Sequence, residues 1–196
     1  MAKLIGLTGG IAAGKSAVAG LLRERGMPVL DADAISREIM QPGQPAYADV
    51  AREWPTVIGG DGAIDRKALG QIVFADPVAR ARLEAISHPR IRSRVAEETH
   101  RLEQMGHTVV FLEAALLVET GYYRHLDGLV VVTAPEAIQR ARLLAREGCT
   151  RDEADTRIAA QLPLAAKTAV ANHVIDNGGD LAATARQVDA LVHQLA

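Results

Sequence analysis

The most informative part of this chain is the stretch Gly9-Gly10-Ile11-Ala12-Ala13-Gly14-Lys15-Ser16. It has a glycine, four variable residues, a second glycine, a lysine and a serine, and it lies between an apolar run at 4–8 and a helix-like run at 17–22. A strand that turns through glycines into a helix aims backbone N–H groups at an anion. The stretch therefore predicts a phosphate-binding loop, called the P-loop below.

The P-loop positions have separate expected parts in holding a nucleotide. Lys15 is expected to reach the β- and γ-phosphates, and the Ser16 hydroxyl to ligate Mg²⁺. The backbone from Gly9 to Ala17 is expected to surround the phosphates. The alternative is an ordinary glycine-rich turn between a strand and a helix.

Length and composition point to one soluble domain. The 196 residues can hold one α/β core and a modest insertion. The 22 basic and 24 acidic residues nearly balance, which gives no electrostatic footprint for nucleic acid. Cys149 is the single cysteine, and no apolar run approaches the roughly 20 residues of a membrane span. We expect a cytoplasmic protein with small-molecule ligands, no nucleic-acid or membrane partner, and a monomeric or weakly homo-oligomeric state.

Short β-branched runs alternate with helical patterns along the chain. This alternation is typical of an α/β fold whose parallel sheet is covered on both faces, and five runs predict a five-stranded sheet. The runs are Lys3 to Thr8, Pro28 to Asp31, Val109 to Glu113, Leu129 to Thr133 and His173 to Ile175.

Three helices carry clear end signals. The first is expected to begin at Lys15 and to stop at Gly26. A second begins at Thr150, where Glu153 completes a capping box. The last follows Asp180 as its N-cap, and its apolar stripe is expected to be core: Leu181, Ala185, Val188, Leu191, Val192 and Leu195.

The interval between the second and third strands is longer than one crossover helix requires. Helical patterns begin there after Asp33, Asp65, Pro77 and Pro89. We expect a single domain over residues 1–196, with a core at about 1–33 and 107–196 and a helical insertion at about 34–106 that carries a second-substrate site.

Two carboxylates follow the second strand. Because Asp31 and Asp33 are two residues apart in a stretch expected to be extended, both side chains can point the same way, toward the P-loop. One can serve Mg²⁺, and the other can orient an acceptor hydroxyl and take its proton. The alternative is that either aspartate caps the helix that begins near Ala34.

Arginines lie on the helix expected after the fourth strand. Arg142 and Arg146 are one helical turn apart on the same face, and Arg140 lies nearby. Guanidinium groups neutralise a transferring phosphoryl group well because their planar fork matches two oxygens. The alternative is a solvated basic face. The position of the helix, with Gly148 as a hinge, favours a closing lid over about residues 139–163.

Other polar residues leave alternatives open. His88 is expected to lie where one helix ends and another begins, and it either contacts substrate or satisfies a local turn. Glu113 and Glu119 lie at or beyond the end of the third strand, where one can hold Mg²⁺ through water or either can be a surface carboxylate. The histidines show no metal-ligand spacing, so no zinc site is expected.

Several motifs in combination resemble those of the dephospho-coenzyme A kinase family, and the resemblance covers almost the whole chain. Besides the P-loop, they are Asp31-Ala32-Asp33, residues 83–89 around Ser87-His88-Pro89, Leu116-Leu117-Val118-Glu119, Gln139 with Arg142 and Arg146, Gln161, and Val174-Ile175-Asp176-Asn177. The resemblance implies a three-layer P-loop kinase fold with a five-stranded parallel sheet. It also implies Mg²⁺-dependent transfer of the ATP γ-phosphate to the 3′-hydroxyl of dephospho-coenzyme A, the last step of coenzyme A synthesis.

The resemblance also implies roles for single residues. Asp33 is the base at the acceptor hydroxyl, Lys15 and Arg142 stabilise the transferring phosphoryl group, and Arg146 belongs to the lid. Asn177 lies near the adenine. The insertion with His88 binds coenzyme A, and the substrate-binding set also includes Asp31, Leu117 and Glu119.

Some positions depart from the family's usual pattern. The P-loop has Ala12-Ala13 where Gly-Ser is common, and an alanine at position 12 needs a negative φ or is strained at a positive one. Ala115, Glu147 and Asn172 stand where proline and two aspartates are usual. None of these changes removes a side chain assigned to the chemistry.

Three rival hypotheses remain. Another small-molecule P-loop kinase would share the nucleotide site and the lid, with insertion arginines binding a monophosphate. A GTP-dependent switch would need an Asn-Lys-x-Asp sequence, which is not in the chain. A third hypothesis is a P-loop protein that binds nucleotide without turnover, and the intact Lys15, Ser16 and Asp33 argue against it.

Overall fold

The computed structural model describes residues 1–195, so Ala196, the end of the expected domain, lies outside the described part. The chain divides into two compact units. The first unit is formed by residues 1–30 and the chain from residue 99 onward, and the second by residues 31–98. The second unit overlaps the expected insertion at about 34–106. The functional assignment of that insertion and of the lid remains a prediction.

A parallel sheet forms the centre of the first unit. Within residues 1–195 it has five strands in the order β2-β3-β1-β4-β5. β1 lies between two parallel partners, with Ile5 opposite Phe111 on one side and Gly128 on the other. The fold class predicted from the sequence is confirmed. The strands are β1 (Lys3–Gly9), β2 (Val29–Asp31), β3 (Val109–Glu113), β4 (Gly128–Thr133) and β5 (His173–Asp176).

The sheet is apolar because helices cover it. β3 is buried along its whole length, as a parallel strand covered on both faces requires. Helix α1 (Lys15–Glu24) and helix α9 (Leu181–Leu195) pack in the same core through Val18, Leu22 and Val188. The other helices of this unit are α6 (Glu136–Glu147), α7 (Arg151–Ala159) and α8 (Leu164–Thr168), with a short 3₁₀ turn at Tyr122–His125.

Most expected helix ends are confirmed. α1 ends at Glu24 with Arg25 as its C-cap, and Gly26 follows with a φ of 74°, so the helix stops where Gly26 was expected to stop it. Thr150 and Glu153 form the complete capping box of α7. The Asp180 carboxylate accepts the N–H of Ala183 at 2.6 Å, as an N-cap does. The α9 stripe is core except at its first member, Leu181, which is exposed.

The second unit is helical. It contains α2 (Ala32–Glu38), α3 (Tyr47–Glu53), a 3₁₀ turn at Pro55–Val57, α4 (Arg66–Ala75) and the part of α5 (Pro77–Gln104) up to residue 98. α4 is the helix expected after Asp65, and the Asp65 carboxylate caps it. α3 was not predicted, because its seven residues are too few for a convincing apolar period.

The prediction of a helix break at Pro89 is wrong. α5 runs through 28 residues with Pro89 inside it. An interior proline lacks the N–H that the carbonyl four residues earlier needs, and this usually breaks a helix. Side chains satisfy neighbouring carbonyls here. The Ser87 hydroxyl donates to Leu83 O at 2.8 Å, and Arg90 donates to Ile86 O at 2.6 Å. These two bonds flank the carbonyl of residue 85, and the helix is continuous through Pro89.

Among residues 1–195, none of the helices has the length and apolar character needed to cross a bilayer.

Candidate active site

The P-loop lies between the end of β1 and the start of α1. Its backbone turns back on itself, with Ala13 N–H donating to Gly10 O at 3.1 Å. Gly14 is the N-cap of α1 with a φ of 94°. A Cβ at Gly14 would come within 1.8 Å of the Asn177 side-chain nitrogen, and one at Gly9 within 2.5 Å of Val132 O. Both glycines are therefore required by close approach, and at Gly14 also by conformation.

Ala12 is the one non-glycine residue with a positive φ among residues 1–195, at 54°. In this left-handed region the alanine Cβ crowds its own backbone, which costs about 1 kcal/mol. From the sequence, Ala12 could have either a negative φ or a strained positive one, and the structure has the positive φ. The loop therefore keeps the turn that glycine usually makes.

Glu113, at the end of β3, brings the two functional P-loop side chains together. Its Oε1 accepts from Lys15 Nζ at 2.7 Å and from Ser16 Oγ at 3.1 Å. Arg23 lies 3.8 Å from Oε2, and Glu113 is only 6% exposed. A buried carboxylate needs such partners. Of the two glutamates considered from sequence, Glu113 is the one beside Ser16.

Arg142 and Asn177 hold the outer side of the P-loop. Arg142 donates to Ala13 O at 3.1 Å and to Asn177 O at 2.9 Å. The Asn177 amide donates to Ala13 O at 2.8 Å, and Thr184 donates to the Asn177 side-chain oxygen at 3.0 Å. The Arg142 guanidinium therefore binds backbone carbonyls in this structure.

The region expected to be a lid contains two helices joined by ion pairs. Arg140 on α6 binds Asp155 on α7, and Arg157 on α7 binds Glu147 on α6. Arg146, 62% exposed at its side chain, also pairs with Glu147 at 2.5 Å. The hydrogen bond from Arg146, then that from Arg157, lowers the pKa of Glu147. Arg140 is thus bound within this helix pair, whereas Arg146 is at its surface.

Gln139 is a further residue that packs on the P-loop. It is buried on α6, its amide donates to Ala134 O at 2.8 Å, and its oxygen would lie 3.0 Å from a Cβ at Gly10. Gly10 is therefore tightly enclosed. Arg142 follows on the next turn of the same helix, so α6 reaches both Gly10 and Ala13.

The segment after α7 supplies Gln161 and Lys167. The Gln161 oxygen accepts the N–H of Ile11 at 2.6 Å. Lys167, fully buried on α8, pairs with Glu119 at 2.6 Å. Gln161 was singled out only as part of the family motif, and Lys167 was missed because one lysine on a five-residue helix has no distinguishing pattern.

Glu119 and Leu117 lie in the segment that follows β3. The ion pair with Lys167 gives Glu119 a partner in the protein itself. Leu117 is buried, and its side chain would lie 2.8 Å from a Cβ at Gly6. Both residues were expected to bind substrate, and for both this remains a prediction.

The two aspartates of the second unit have different surroundings. Asp31 is the N-cap of α2, and its carboxylate accepts the N–H groups of Asp33 and Ala34 at 2.8 and 3.1 Å. Asp33 is exposed in the first turn of α2. The expected extended stretch through both residues is therefore wrong, because the helix begins at Ala32. The capping alternative holds for Asp31.

Basic side chains lie near Asp33 in the same unit. Burial lowers the pKa of Arg66, the charge of Arg37 lowers it further, and the Asp33 carboxylate opposes both. Arg37 also lies 3.9 Å from the Asp31 carboxylate. The Asp33 carboxylate thus interacts with the charge of Arg66.

His88 is half-buried inside α5. The helix is continuous there, so the expected end of one helix and start of another at His88 is wrong. Its proposed contact with substrate remains a prediction.

No group of three or more histidine, cysteine, aspartate or glutamate side chains in the described chain could hold a metal ion by itself. A metal at the P-loop would therefore depend on Ser16, Glu113 and the phosphates of the nucleotide.

The fold and the site together define a P-loop nucleotide-binding protein. It has a parallel α/β sheet, a glycine-rich loop at the start of α1, and a lysine and a serine that bind one buried glutamate. Comparisons with known proteins give the family. The family model described as dephospho-CoA kinase matches residues 3–183. The chain belongs to the dephospho-CoA kinase family.

Individual relatives agree with that assignment. A dephospho-CoA kinase from Anaeromyxobacter dehalogenans is 52% identical over 98% of this chain and 92% of its own. One from Symbiobacterium thermophilum is 46% identical over 96% of this chain and 79% of its own. A protein from Thermus thermophilus with a known crystal structure is 38% identical in sequence to this chain. The two structures superpose with a TM-score of 0.87 over 100% of this chain and 98% of the other.

Shikimate kinase from Acinetobacter baumannii has the same fold, with 14% identity and a TM-score of 0.54 over 100% of this chain and 93% of its own. Membership of the dephospho-CoA kinase family makes the chain a kinase that transfers a phosphate group from ATP to an alcohol, and the role of that family is the final step of coenzyme A biosynthesis. The resemblance stated from sequence is confirmed, and the three rival hypotheses are set aside.

Proposed function

We propose that this kinase transfers the γ-phosphate of Mg²⁺-bound ATP to the 3′-hydroxyl of dephospho-coenzyme A, with the P-loop side chains on ATP and Asp33 at the acceptor. The observation that supports the ATP site is that the Lys15 and Ser16 side chains both donate to the same oxygen of Glu113. The acceptor half is supported by the family and by the exposed Asp33 carboxylate.

The residues at the P-loop fit Mg²⁺. The Ser16 hydroxyl and the Glu113 carboxylate are oxygen groups 3.1 Å apart, and Mg²⁺ prefers oxygen ligands and keeps several of its waters. Ser16 would ligate the ion directly and Glu113 through water. When bound, Mg²⁺ neutralises phosphate charge and orients the oxygens around it.

Lys15 and the arginines act on charge. Phosphoryl transfer needs positioning and charge stabilisation more than covalent help. When ATP binds, Lys15 leaves Glu113 and contacts the β- and γ-phosphates instead. Arg142, which lies on the outer side of the P-loop, stabilises the transferring phosphoryl group. Arg146, exposed on α6, joins them as the lid excludes water.

The remaining assignments follow the same proposal. The backbone from Gly9 to Ala17 holds the ATP phosphates, and Asn177 lies near the adenine. Asp33 accepts the proton of the acceptor hydroxyl, with Asp31 and His88 in the acceptor site. The enzyme acts in the cytoplasm as a monomer or weak homo-oligomer.

Replacement of Asp33 tests the acceptor half. We expect Asp33→Asn to keep the KM for ATP within a few-fold while kcat falls by roughly 10² or more, the usual effect of losing a general base. Steady-state kinetics with both substrates measures this. Asp65→Asn is the matched control, because Asp65 caps α4 and asparagine caps equally well. Unchanged turnover in Asp33→Asn would contradict the assignment.

A further inference from the structure

One short segment outside the P-loop contacts it at two points. The Gln161 oxygen accepts the N–H of Ile11 at 2.6 Å. Six residues later, the Lys167 ammonium lies 3.4 Å from the carbonyl oxygen of Gly9. The two contacts fall on an N–H and a C=O on either side of Gly10. They therefore restrain the peptide planes that set the direction of the loop.

The Lys167 contact is built into the core. Lys167 is fully buried, and its ammonium meets Glu119 at 2.6 Å and Ala115 O at 3.5 Å. The Thr8 hydroxyl donates to the same Ala115 oxygen at 3.0 Å. A buried ammonium is costly unless it is paired, so its position is fixed by Glu119. The cation thus joins the end of β1 to the segment after β3.

The Gln161 contact orients one backbone N–H group of the P-loop. Loops of this kind bind phosphates through inward-pointing backbone N–H groups. Here an amide oxygen accepts from the N–H of Ile11. Gln161 lies just after α7, so the same side chain links the helix pair α6–α7 to the loop that binds ATP.

We propose that Gln161 and Lys167 are positioning residues that set the P-loop backbone for the ATP phosphates, with Glu119 as the counter-ion of Lys167. Neither belongs to the P-loop motif. This inference rests on the proposed ATP site, and it assigns Glu119 to the ATP side of the reaction instead of the acceptor side.

The test compares Gln161→Met, Lys167→Met and Glu119→Gln in the full chain. We expect each to raise the KM for ATP by roughly 10-fold and to lower kcat, while the KM for dephospho-coenzyme A stays within about 2-fold. Lys3→Met is the matched control, because Lys3 is exposed at the start of β1 and should leave every constant unchanged.

Folding is separated from positioning by two further measurements. Circular dichroism and thermal unfolding identify the folded variants, and calorimetry measures their binding of ATP directly. If Lys167→Met does not fold, Glu119→Gln replaces it, because it keeps the lysine and removes only the charge of its partner. Gln161→Met removes no charge and is expected to fold.

The outcomes are distinct. Folded Gln161→Met and Glu119→Gln that bind and use ATP as the parent does would overturn the proposal. So would a Glu119→Gln variant that raises the KM for dephospho-coenzyme A alone. If the parent enzyme did not phosphorylate dephospho-coenzyme A, the proposed function would fail, yet calorimetry with ATP would still test Gln161 and Lys167.

Discussion

At the scale of single residues, Glu113 organises the proposed ATP site. A lysine and a serine that are adjacent in sequence both bind one of its oxygens, and burial at 6% exposure keeps the carboxylate in place. An ion pair of this kind positions Lys15 before ATP arrives. The arrangement explains why the carboxyl end of β3 bears an acidic residue although the rest of the strand is apolar.

Gly14 should not tolerate a side chain. Its φ is 94°, and a Cβ would come within 1.8 Å of the Asn177 side-chain nitrogen. We expect Gly14→Ala to abolish measurable ATP binding in calorimetry, because the loop and Asn177 must both move. Gly20→Ala is the control, because Gly20 lies inside α1 and a Cβ there would meet open space. The free energy of unfolding of this variant should rise by about 1 kcal/mol. ATP binding by Gly14→Ala at the parent affinity would refute this account of the loop.

Ala12 should be improved by glycine. The strain at a φ of 54° costs about 1 kcal/mol, so Ala12→Gly should raise the free energy of unfolding by about that amount in urea titrations. Ala13→Gly should lower it, because Ala13 is fully buried and does not have a positive φ. A fall in stability for Ala12→Gly would show that the strain is absent.

The residue scale also shows what sequence can and cannot give. The P-loop was predictable because its residues have a fixed spacing, and the roles given to Lys15, Ser16 and Asn177 in binding nucleotide remain predictions. Lys167 was not predictable, since its partners Glu119 and Gly9 are 48 and 158 residues away in the chain. Only the fold brings them together.

At the scale of elements, α6 and α7 form a pair held by charge. Two cross-helix ion pairs and the capping box of Thr150 and Glu153 fix one helix against the other. Gly148, with a φ of 62°, ends α6 and allows the sharp turn into α7. These features suit a rigid pair that moves as one body.

The capping box should make the stability of the protein depend on pH. The backbone hydrogen bond from Thr150, followed by its side-chain hydrogen bond, lowers the pKa of Glu153 below its usual 4.5. The charged carboxylate therefore stabilises the folded state above that value, and this stabilisation is lost as pH falls through the lowered pKa. The free energy of unfolding of the parent should exceed that of Glu153→Gln at about pH 7, and the gap should close toward about pH 3. Urea titrations measure it, and a gap independent of pH would contradict the assignment.

Element boundaries were predictable where a local signal sets them. All five strands were expected within one or two residues, because each is a short apolar run between turn residues. α2 begins earlier than expected because Asp31 caps it, and α5 continues through Pro89, where Ser87 and Arg90 bind the carbonyls of Leu83 and Ile86. At the start of α2 a side-chain contact outweighs the local signal.

At the scale of the whole molecule, the assigned chemistry is divided between the two units. The residues assigned to ATP belong to the first unit, with its sheet and P-loop. Of the residues proposed to bind the acceptor, Asp33, Asp31 and His88 belong to the second unit and Leu117 to the first. The sequence predicted the parallel sheet and set the long interval apart. It could not define the second unit's boundaries, because they depend on packing between distant segments.

The acceptor identity is the central claim, and a coupled assay of ADP release tests it most directly. ATP and Mg²⁺ are supplied with dephospho-coenzyme A, adenylate, shikimate or gluconate in parallel, and the product is identified by mass. We expect one phosphate to be gained by dephospho-coenzyme A and by none of the other acceptors. Phosphorylation of another acceptor, or ADP release that needs no acceptor, would contradict the account.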